Sequence, residues 1–324
     1  MTIPVLSVRG LVVEIPTRHG VMRPVDGMTF DIKAGEILGL VGESGAGKSM
    51  TGNAVIGLLD PPARIAEGEI YLNGDRIDRL RLADLRKRRG KDIGMVFQDP
   101  LTSLNPLLPI GDQLTETILE HLPVSMSEAK TRAVAALEEV GIPAAAERIG
   151  AYPHEFSGGM RQRVVIALAL SAEPSLIIAD EPTTALDVSV QAQITALLKR
   201  LCRERGAGVM LVTHDMGVIA ETADRVAVMY AGQLVELGFV RQVLSEPCHP
   251  YTDGLMGSTP QASKGQTRLR QIPGSMPRLG NLPPGCAFSP RCSYVQDKCR
   301  QKPELRLNSC DSRTACWFPI GAPA

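Results

Sequence analysis

The sequence lacks a net charge, a long apolar run and, over its first 240 residues, nearly all of its cysteine. Lysine and arginine together number 35, and so do aspartate and glutamate, so no overall attraction to nucleic acid or to an anionic membrane is expected. The longest apolar run spans residues 164–170, far short of the roughly 18 residues of a membrane-spanning helix. The first residues also lack the basic start and apolar core of a secretory signal. These absences predict a cytoplasmic protein that reaches a membrane only through a partner.

The last part of the chain differs in composition from the rest. Residues 241–324 contain six of the seven cysteines, 11 of the 24 prolines, and 11 Lys/Arg against 5 Asp/Glu. This segment therefore carries a formal charge of +6, and the remainder of the chain carries −6. Little hydrophobic periodicity survives there, which predicts a separate, loop-rich appendage. In a reducing cytoplasm, such a late group of cysteines indicates a metal site rather than disulfides.

The rest of the chain alternates predicted strands with predicted helices. A chain of 324 residues is long enough for two domains. Asn73-Gly74 is typical of a hairpin turn, and Ser125 with Glu128 forms a capping pattern that starts a helix. Strands that alternate with helices predict a parallel α/β sheet. Predicted strands occupy residues 5–13, 28–32, 69–72, 93–97, 176–179, 209–212 and 226–229, and predicted helices occupy residues 50–59, 100–150 and 190–204.

A glycine-rich segment matches the phosphate-binding pattern G-x-x-x-x-G-K-S. It follows an apolar run typical of a buried strand and precedes a helix-compatible run. In that context backbone N–H groups bind the β-phosphate, Lys48 reaches the β- and γ-phosphates, and the Ser49 hydroxyl ligates Mg²⁺. An ordinary glycine turn with a surface lysine is the competing interpretation, but the full motif predicts binding of a nucleoside triphosphate. The segment reads Gly42-Glu43-Ser44-Gly45-Ala46-Gly47-Lys48-Ser49.

Four segments further along the chain place polar or small residues at predicted strand ends and helix starts. Gln98 ends one strand, and Asp180 and Glu181 end another after four apolar residues. At a buried strand end Asp180 can hold Mg²⁺ directly or through water, although a helix-capping aspartate is the competing interpretation. The segments read Phe97-Gln98-Asp99, Phe156-Ser157-Gly158-Gly159-Met160-Arg161-Gln162-Arg163, Leu176-Ile177-Ile178-Ala179-Asp180-Glu181-Pro182 followed by Thr184-Ala185-Leu186-Asp187, and Val212-Thr213-His214-Asp215.

In this order, and together with the glycine loop, these segments resemble the ATP-binding subunit of an ABC transporter over residues 5–240. The resemblance implies an α/β fold: a P-loop NTPase core at residues 1–240, with an antiparallel β subdomain and a helical subdomain at about residues 99–165. Residues 241–324 form a loop-rich, cysteine-containing C-terminal extension in this interpretation. The resemblance also implies an ATPase that uses ATP and Mg²⁺.

The same resemblance assigns roles to three residues. Glu181 lies one position beyond Asp180, where it orients or deprotonates the attacking water as a general base. Gln98 contacts Mg²⁺ and that water, and it senses nucleotide across to the helical region. His214 hydrogen-bonds the γ-phosphate and helps to assemble the transition state. A lone histidine is more often a satisfied core residue, but the position of His214 directly after a strand favours the functional role.

Ser157, Gly158 and Gly159 present a second helix N-terminus that suits a phosphate. The resemblance implies that this signature segment closes on ATP held by a second, homologous ATPase subunit, with Asp187 at the interface. Two positions depart from the family pattern. Met160 stands where the family usually has glutamine, and many peptide-importer relatives carry the same methionine. Ile15 stands where the family often has an aromatic side chain that stacks on adenine.

Three segments narrow the resemblance to the oligopeptide/dipeptide/nickel importer group. They read Cys248-His249-Pro250-Tyr251-Thr252, Pro283-Pro284-Gly285-Cys286-Ala287-Phe288-Ser289-Pro290-Arg291-Cys292 and Tyr152-Pro153-His154-Glu155. The group implies uptake of dipeptides or oligopeptides at the cytoplasmic face of the inner membrane. The partners are a second ATPase, two membrane permeases and, indirectly, a solute-binding protein. Nickel, glutathione or another small solute stays an alternative cargo. A soluble ABC ATPase acting on nucleic acid or ribosomes is a distant alternative, because those proteins usually carry two cassettes or a coiled-coil insertion.

Four late cysteines are spaced C-x5-C-x6-C-x16-C, and they are Cys286, Cys292, Cys299 and Cys316. Four thiolates can hold a [4Fe–4S] cluster or Zn²⁺. Zinc ribbons favour closer cysteine pairs, so a cluster is the preferred metal. Cys310 competes for the fourth position, although the family pattern favours Cys316. The alternative is four reduced, partly buried cysteines in a stabilising extension. A third interpretation is a redox- or metal-sensing regulator, in which the cluster gates the ATPase, and it is compatible with a role in solute import.

Overall fold

The computed structural model describes residues 3–18, 20–184, 186–258, 271–308 and 312–321. Within these ranges, three short 3₁₀ helices lie at Pro153–Glu155, Ser289–Arg291 and Asp297–Arg300. The strands are β1 Leu6–Thr17, β2 Gly20–Ile32, β3 Ile37–Val41, β4 Arg64–Leu72, β5 Asp75–Arg76, β6 Ile93–Val96, β7 Leu176–Asp180, β8 Gly208–Thr213, β9 Arg225–Tyr230, β10 Gln233–Phe239, β11 Arg306–Leu307 and β12 Arg313–Thr314. The α-helices are α1 Lys48–Ile56, α2 Leu82–Arg88, α3 Pro100–Ser103, α4 Ile110–His121, α5 Met126–Glu139, α6 Ala145–Arg148, α7 Gly158–Leu170, α8 Val188–Arg205, α9 Met216–Thr222, α10 Val240–Ser245 and α11 Pro250–Gly257.

The chain divides into two compact units that do not follow sequence order. The first unit contains residues 1–6, 32–36 and 79–211, and the second contains residues 7–31, 37–78 and 212–324. The glycine loop therefore belongs to the second unit, together with the described residues of the C-terminal extension. The boundaries predicted at residues 99, 165 and 240 stay predictions.

In the first unit, parallel strands and a group of helices form the core. Strands β6 and β7 pair in parallel, with Val96 opposite Ala179, and β7 lies between β6 and β8 in its sheet. All five residues of β7 are buried, as expected for a strand covered on both faces. Helices α3 to α6 fill the region for which the sequence predicts helices. Ser125 caps α5, because its hydroxyl accepts the Glu128 N–H at 3.2 Å, as the sequence predicts.

In the second unit, one sheet has the strand order β2-β1-β4-β5. Strands β4 and β5 are antiparallel, with Leu72 opposite Asp75. The two residues between them have positive φ, 51° for Asn73 and 89° for Gly74. This is the conformation that a tight hairpin turn requires, so the predicted hairpin is confirmed.

The remaining strands of the second unit include two from the C-terminal extension. Strand β3 pairs in parallel with β9, and β9 pairs antiparallel with β10. Strand β12 then pairs antiparallel with β10, with Thr314 opposite Glu236, and β11 pairs antiparallel with β12. The sequence does not predict β11 and β12, because a strand of two residues has no periodicity to detect.

A buried carboxylate holds the start of the extension. Glu236 on β10 is fully buried, and its two carboxylate oxygens accept the backbone N–H groups of Cys248, at 2.8 Å, and His249, at 3.0 Å. Burial raises the pKa of Glu236, and these hydrogen bonds oppose that rise. An aromatic cluster lies beside this contact, with the Tyr251 ring centroid 4.7 Å from that of Tyr230 and 5.4 Å from that of Phe288. The extension is therefore packed into the core of the second unit.

Among the described residues, no helix is both long enough and apolar enough to cross a membrane.

Candidate nucleotide-binding site

The glycine loop lies too close to neighbouring backbone to carry side chains at two of its positions. A Cβ on Gly42 would lie 2.3 Å from the Met229 carbonyl oxygen, and one on Gly47 would lie 2.0 Å from the Pro24 carbonyl oxygen. Gly47 also has a φ of 102°, which favours glycine. Helix α1 begins directly after it, at Lys48. The loop therefore has the strand–loop–helix context that the sequence predicts.

Lys48 lies along the inside of this loop. Its ammonium group donates to the carbonyl oxygens of Gly42, at 2.9 Å, and Glu43, at 3.1 Å. The residue is only 5% exposed, so its charge is held against the loop rather than in solvent. Ser49 follows in the first turn of α1 and is exposed. A cation and a hydroxyl at a helix N-terminus are the groups that bind a Mg²⁺-bound triphosphate.

In the first unit, the structure brings together Gln98 and Glu181. The Gln98 side-chain amide donates to the Glu181 carboxylate at 3.2 Å, because Gln98 follows β6 and Glu181 follows the adjacent parallel strand β7. Thr184 donates its hydroxyl to the same carboxylate oxygen at 2.9 Å. Glu181 has a φ of 45°, a conformation that is uncommon for a residue with a side chain and that occurs in turns and at functional sites. Asp180 ends β7 and is only 7% exposed.

His214 lies in the turn between β8 and α9 and is exposed. The flanking residues fix this turn. The Asp215 N–H donates to the Thr213 hydroxyl at 3.0 Å, and the Asp215 carboxylate accepts the Gly217 N–H at 2.7 Å as the cap of α9. The histidine therefore follows directly after a buried strand, as the sequence predicts. It lies in a turn that these two hydrogen bonds stabilise.

The signature segment starts α7 in the first unit. The Ser157 hydroxyl accepts the Met160 N–H at 3.4 Å. Ser157 and Gly158 are exposed, and Gly159 is partly buried. A Cβ on Gly159 would lie 2.7 Å from a methyl group of Val190 on α8. Asp187, at the start of α8, is also exposed. The segment thus presents an open helix N-terminus beside the start of a second helix. Ala185, in the connection that precedes α8, lies outside the described residues.

The four late cysteines line one small cavity in the extension. Cys286, Cys292, Cys299 and Cys316 all contact this cavity of about 20 Å³. Burial raises the pKa of the Cys286 and Cys292 thiols and raises that of Cys316 to about 11, and the neighbouring thiols add to each rise. The convergence of these side chains follows from the fold, because they are separated by up to 30 positions in the sequence.

The cavity does not have the geometry of a metal centre in this structure. Over the described ranges, no group of three or more His, Cys, Asp or Glu side chains is arranged to hold a metal ion, so the predicted metal site is not confirmed. Cys310, the competing fourth ligand, lies outside the described residues. His249 also lines the cavity. Its Nδ1 accepts the Tyr251 N–H at 3.0 Å, while its buried Nε2 has no hydrogen-bond partner among the described residues.

The sequence does not predict one set of contacts at the phosphate loop. Glu43, the second residue of the loop, forms hydrogen bonds with two residues of the extension. The Arg291 guanidinium donates to both Glu43 carboxylate oxygens at 3.0 Å, and the Glu43 N–H donates to the Tyr251 hydroxyl at 2.9 Å. More than 200 residues separate these partners, so no local pattern could have indicated the contact.

Comparison with known proteins gives matches over most of the chain. The family described as ABC transporter matches residues 25–184, and that described as oligopeptide/dipeptide transporter, C-terminal region, matches residues 235–299. Dipeptide transport ATP-binding protein DppD of Bacillus subtilis is 47% identical over 97% of this chain and 94% of that protein. Oligopeptide transport ATP-binding protein OppD of Salmonella typhimurium is 46% identical over 97% of this chain and 94% of its own length. The solved structure of the ATP-binding cassette MJ0796 bound to ADP and Pi is similar, with a TM-score of 0.66 and 29% identity, over 73% of this chain and 99% of that chain.

The fold and the phosphate loop define an ATPase of the ABC type, with a P-loop α/β core and an antiparallel β region, as the sequence predicts. More particularly, the chain belongs to the ABC transporter ATP-binding proteins that carry the oligopeptide/dipeptide transporter C-terminal region. It is a transport ATPase, and its activity uses ATP with Mg²⁺.

The close approach at Gly42 gives a direct test of the loop. We expect Gly42→Ala to lower the free energy of unfolding by roughly 1–3 kcal/mol and to weaken binding of Mg-ATP, because its Cβ would meet the Met229 carbonyl oxygen. Gly150→Ala is the matched control, since a Cβ there meets nothing within 4 Å and Gly150 has no positive φ. Urea unfolding and calorimetric titration with Mg-ATP measure both effects. Equal behaviour of the two variants would contradict the steric argument.

Proposed function

We propose that this chain hydrolyses ATP to drive the uptake of dipeptides or oligopeptides. The observation that carries the proposal is the likeness to peptide-transport ATP-binding proteins, which extends over 97% of the chain and includes the C-terminal extension. The chain acts on the cytoplasmic face of the inner membrane, through two membrane permeases fed by a solute-binding protein. Nickel and glutathione stay alternative cargoes with weaker support, because the relatives compared above are named for dipeptides and oligopeptides.

Residues at the nucleotide have the roles that their positions support. The N–H groups of the loop and Lys48 bind the β- and γ-phosphates, since the Lys48 ammonium already lies against the loop carbonyls. Ser49 and Asp180 hold Mg²⁺, which neutralises the charge of the triphosphate. An exposed hydroxyl and a buried carboxylate at a strand end are oxygen donors of the kind that Mg²⁺ prefers.

Glu181 is the general base in this proposal, and Gln98 and His214 assist it. The contact from Gln98 and the hydrogen bond from Thr184 fix the orientation of the Glu181 carboxylate, which is what a base that positions one water molecule requires. Gln98 contacts Mg²⁺ and the same water. His214 hydrogen-bonds the γ-phosphate from its rigid turn and stabilises the charge that develops in the transition state.

Hydrolysis takes place in a head-to-tail dimer with a second, homologous ATPase, which in this group is a different chain. Ser157, Gly158 and Gly159 then bind the γ-phosphate of ATP held by the partner, and Asp187 lies at the interface. The exposed N-terminus of α7 and the exposed start of α8 support this arrangement. ATP binding closes the dimer and switches the permeases, and the release of phosphate reopens it.

For the extension, we propose that the cysteine cavity binds a [4Fe–4S] cluster. Four thiols converge on one cavity, and the pKa of three of them is raised by burial and by each other. Neutral His249 offers a buried N–H donor with no partner among the described residues. A cluster would order the extension and accept such a hydrogen bond. The geometry of a ligated metal is not formed, so the donor set alone supports this proposal.

Peptide uptake tests the cargo. In cells that lack this chain and require one amino acid for growth, we expect that a dipeptide or oligopeptide containing it no longer supports growth, because the permeases receive no ATP-driven switch. Expression of the wild-type chain restores growth and labelled-peptide uptake, and expression of Glu181→Gln does not. Uptake of nickel and glutathione stays unchanged. Loss of nickel or glutathione uptake with normal peptide uptake would overturn the peptide assignment.

Glu181→Gln tests the catalytic assignment. The amide cannot accept a proton from water, so we expect ATP turnover to fall by about 10²-fold or more while ATP binding persists and the closed dimer accumulates. Steady-state phosphate release and size-exclusion chromatography with ATP are the measurements. Glu204→Gln, at an exposed carboxylate on α8, is the matched control and should hydrolyse ATP normally. Full activity of Glu181→Gln would sink the assignment.

Anaerobic purification tests the cluster. We expect a coloured protein with broad visible absorption and about four iron atoms per chain. Cys299→Ser should lose the colour and the iron, because Cys299 lines the cavity. Cys202→Ser, at a buried cysteine whose thiol bonds the Ala207 carbonyl, should keep both. A colourless, iron-free wild-type protein would refute the cluster and leave the reduced cysteines as structural residues.

A further inference from the structure

Arg291 of the C-terminal extension joins three separate segments of the second unit. One guanidinium nitrogen donates to both Glu43 carboxylate oxygens at 3.0 Å and to the Tyr230 hydroxyl at 3.2 Å. A second nitrogen donates to the Pro273 carbonyl at 2.8 Å. The Arg291 side chain is 7% exposed and the Glu43 side chain 28% exposed, so the ion pair is partly buried. A guanidinium that donates to both oxygens of a carboxylate makes charge-assisted hydrogen bonds, which are stronger than neutral ones.

The same loop residue is held from its other side by Tyr251. Its hydroxyl accepts the Glu43 N–H at 2.9 Å, and its ring packs edge-on against Tyr230 at 4.7 Å between centroids. Both the main chain and the side chain of Glu43 are therefore fixed by residues outside the phosphate loop. Because Lys48 donates to the Gly42 carbonyl, the lysine and the Tyr251 hydroxyl bond the same peptide unit, the one between Gly42 and Glu43.

Arg291 also holds the segment that lies over the loop. Its third nitrogen is 3.4 Å from the Gly274 carbonyl oxygen. Two residues further on, Met276 covers Gly45 closely enough that a Cβ on that glycine would lie 3.3 Å from the Met276 methyl carbon. The extension therefore contacts the loop at two points, Glu43 and Gly45. Arg291 bonds Glu43 directly, and it bonds Gly274, two residues before the Met276 that covers Gly45.

We propose that Arg291 is a positioning residue for the phosphate loop, holding it through Glu43 in the conformation that binds ATP. The proposal rests on the assignment of residues 42–49 as the ATP-binding loop. A loop whose conformation is fixed in advance loses less conformational freedom on binding, so the ligand binds more tightly. Lysine cannot replace arginine here, because one ammonium group cannot reach the carboxylate, the tyrosine hydroxyl and two carbonyl groups in different directions.

Calorimetric titration of the full-length chain with Mg-ATP tests the proposal. We expect Arg291→Gln and Arg291→Lys each to raise the Kd for Mg-ATP about tenfold, with little change in ATP turnover at saturation. Glu43→Gln should raise the Kd by a similar factor, and the Arg291→Gln/Glu43→Gln double variant should bind Mg-ATP no more weakly than either single variant, because one interaction is lost in all three. Arg300→Gln is the matched control, since the Arg300 side chain in the same extension is 81% exposed, and its Kd should match that of wild type.

Three outcomes separate the proposal from its alternatives. Wild-type affinity in Arg291→Gln, or a double variant with fully additive losses, would overturn it. A fall in thermal stability without a change in Kd, in the conservative Arg291→Lys variant, would mean that the contact is only structural, and this also overturns it. Lys48→Ala reports separately on the loop itself. If Lys48→Ala binds Mg-ATP as well as wild type, the assignment of the ATP-binding loop fails, whatever Arg291 does.

Discussion

The second unit depends on how closely the backbone of one glycine loop approaches the backbone around it. Gly42 and Gly47 lie against the carbonyl oxygens of Met229 and Pro24 with no room for a side chain, and Gly232 donates its N–H to the Ala46 carbonyl at 2.9 Å. The positions of β2, β3 and β9 relative to one another therefore leave room only for glycine at Gly42 and Gly47. Protein interiors packed at this density respond to small displacements, so the loop and the strands that border it form one rigid structure.

The C-terminal extension is part of that structure. Its strand β12 pairs with β10, the buried Glu236 binds the backbone directly before α11, and Tyr251 and Phe288 pack against Tyr230. Its composition gives the opposite impression, since it is rich in proline and cysteine and has little periodicity. Short elements explain the difference. They are stabilised by what they pack against rather than by their own propensity.

The extension also places its chemistry at the phosphate loop. Arg291 is followed directly by Cys292, so the residue that bonds Glu43 is adjacent to a cysteine of the shared cavity. Composition alone shows that the tail has excess positive charge and several cysteines. At Arg291 and Cys292 a basic residue and a cysteine are adjacent, one bonded to the phosphate loop and the other lining the cavity. The phosphate loop of this ATPase is therefore in contact with the segment that distinguishes its subgroup from other ABC ATPases.

The sequence alone determined the elements and the order of the site. The glycine spacing, the apolar run that ends in Asp180 and Glu181, and the strand before His214 are local patterns, because phosphate loops and buried strands require particular residue types at fixed separations. Tertiary structure decided the contacts between distant residues. The pairing of β6 with β7 brings Gln98 to Glu181, and folding of the tail brings Arg291 and Tyr251 to Glu43 and gathers four cysteines around one cavity. Such contacts join residues dozens to hundreds of positions apart. Chain topology and packing decide which of these residues come into contact, and a local sequence pattern specifies neither the topology nor the packing.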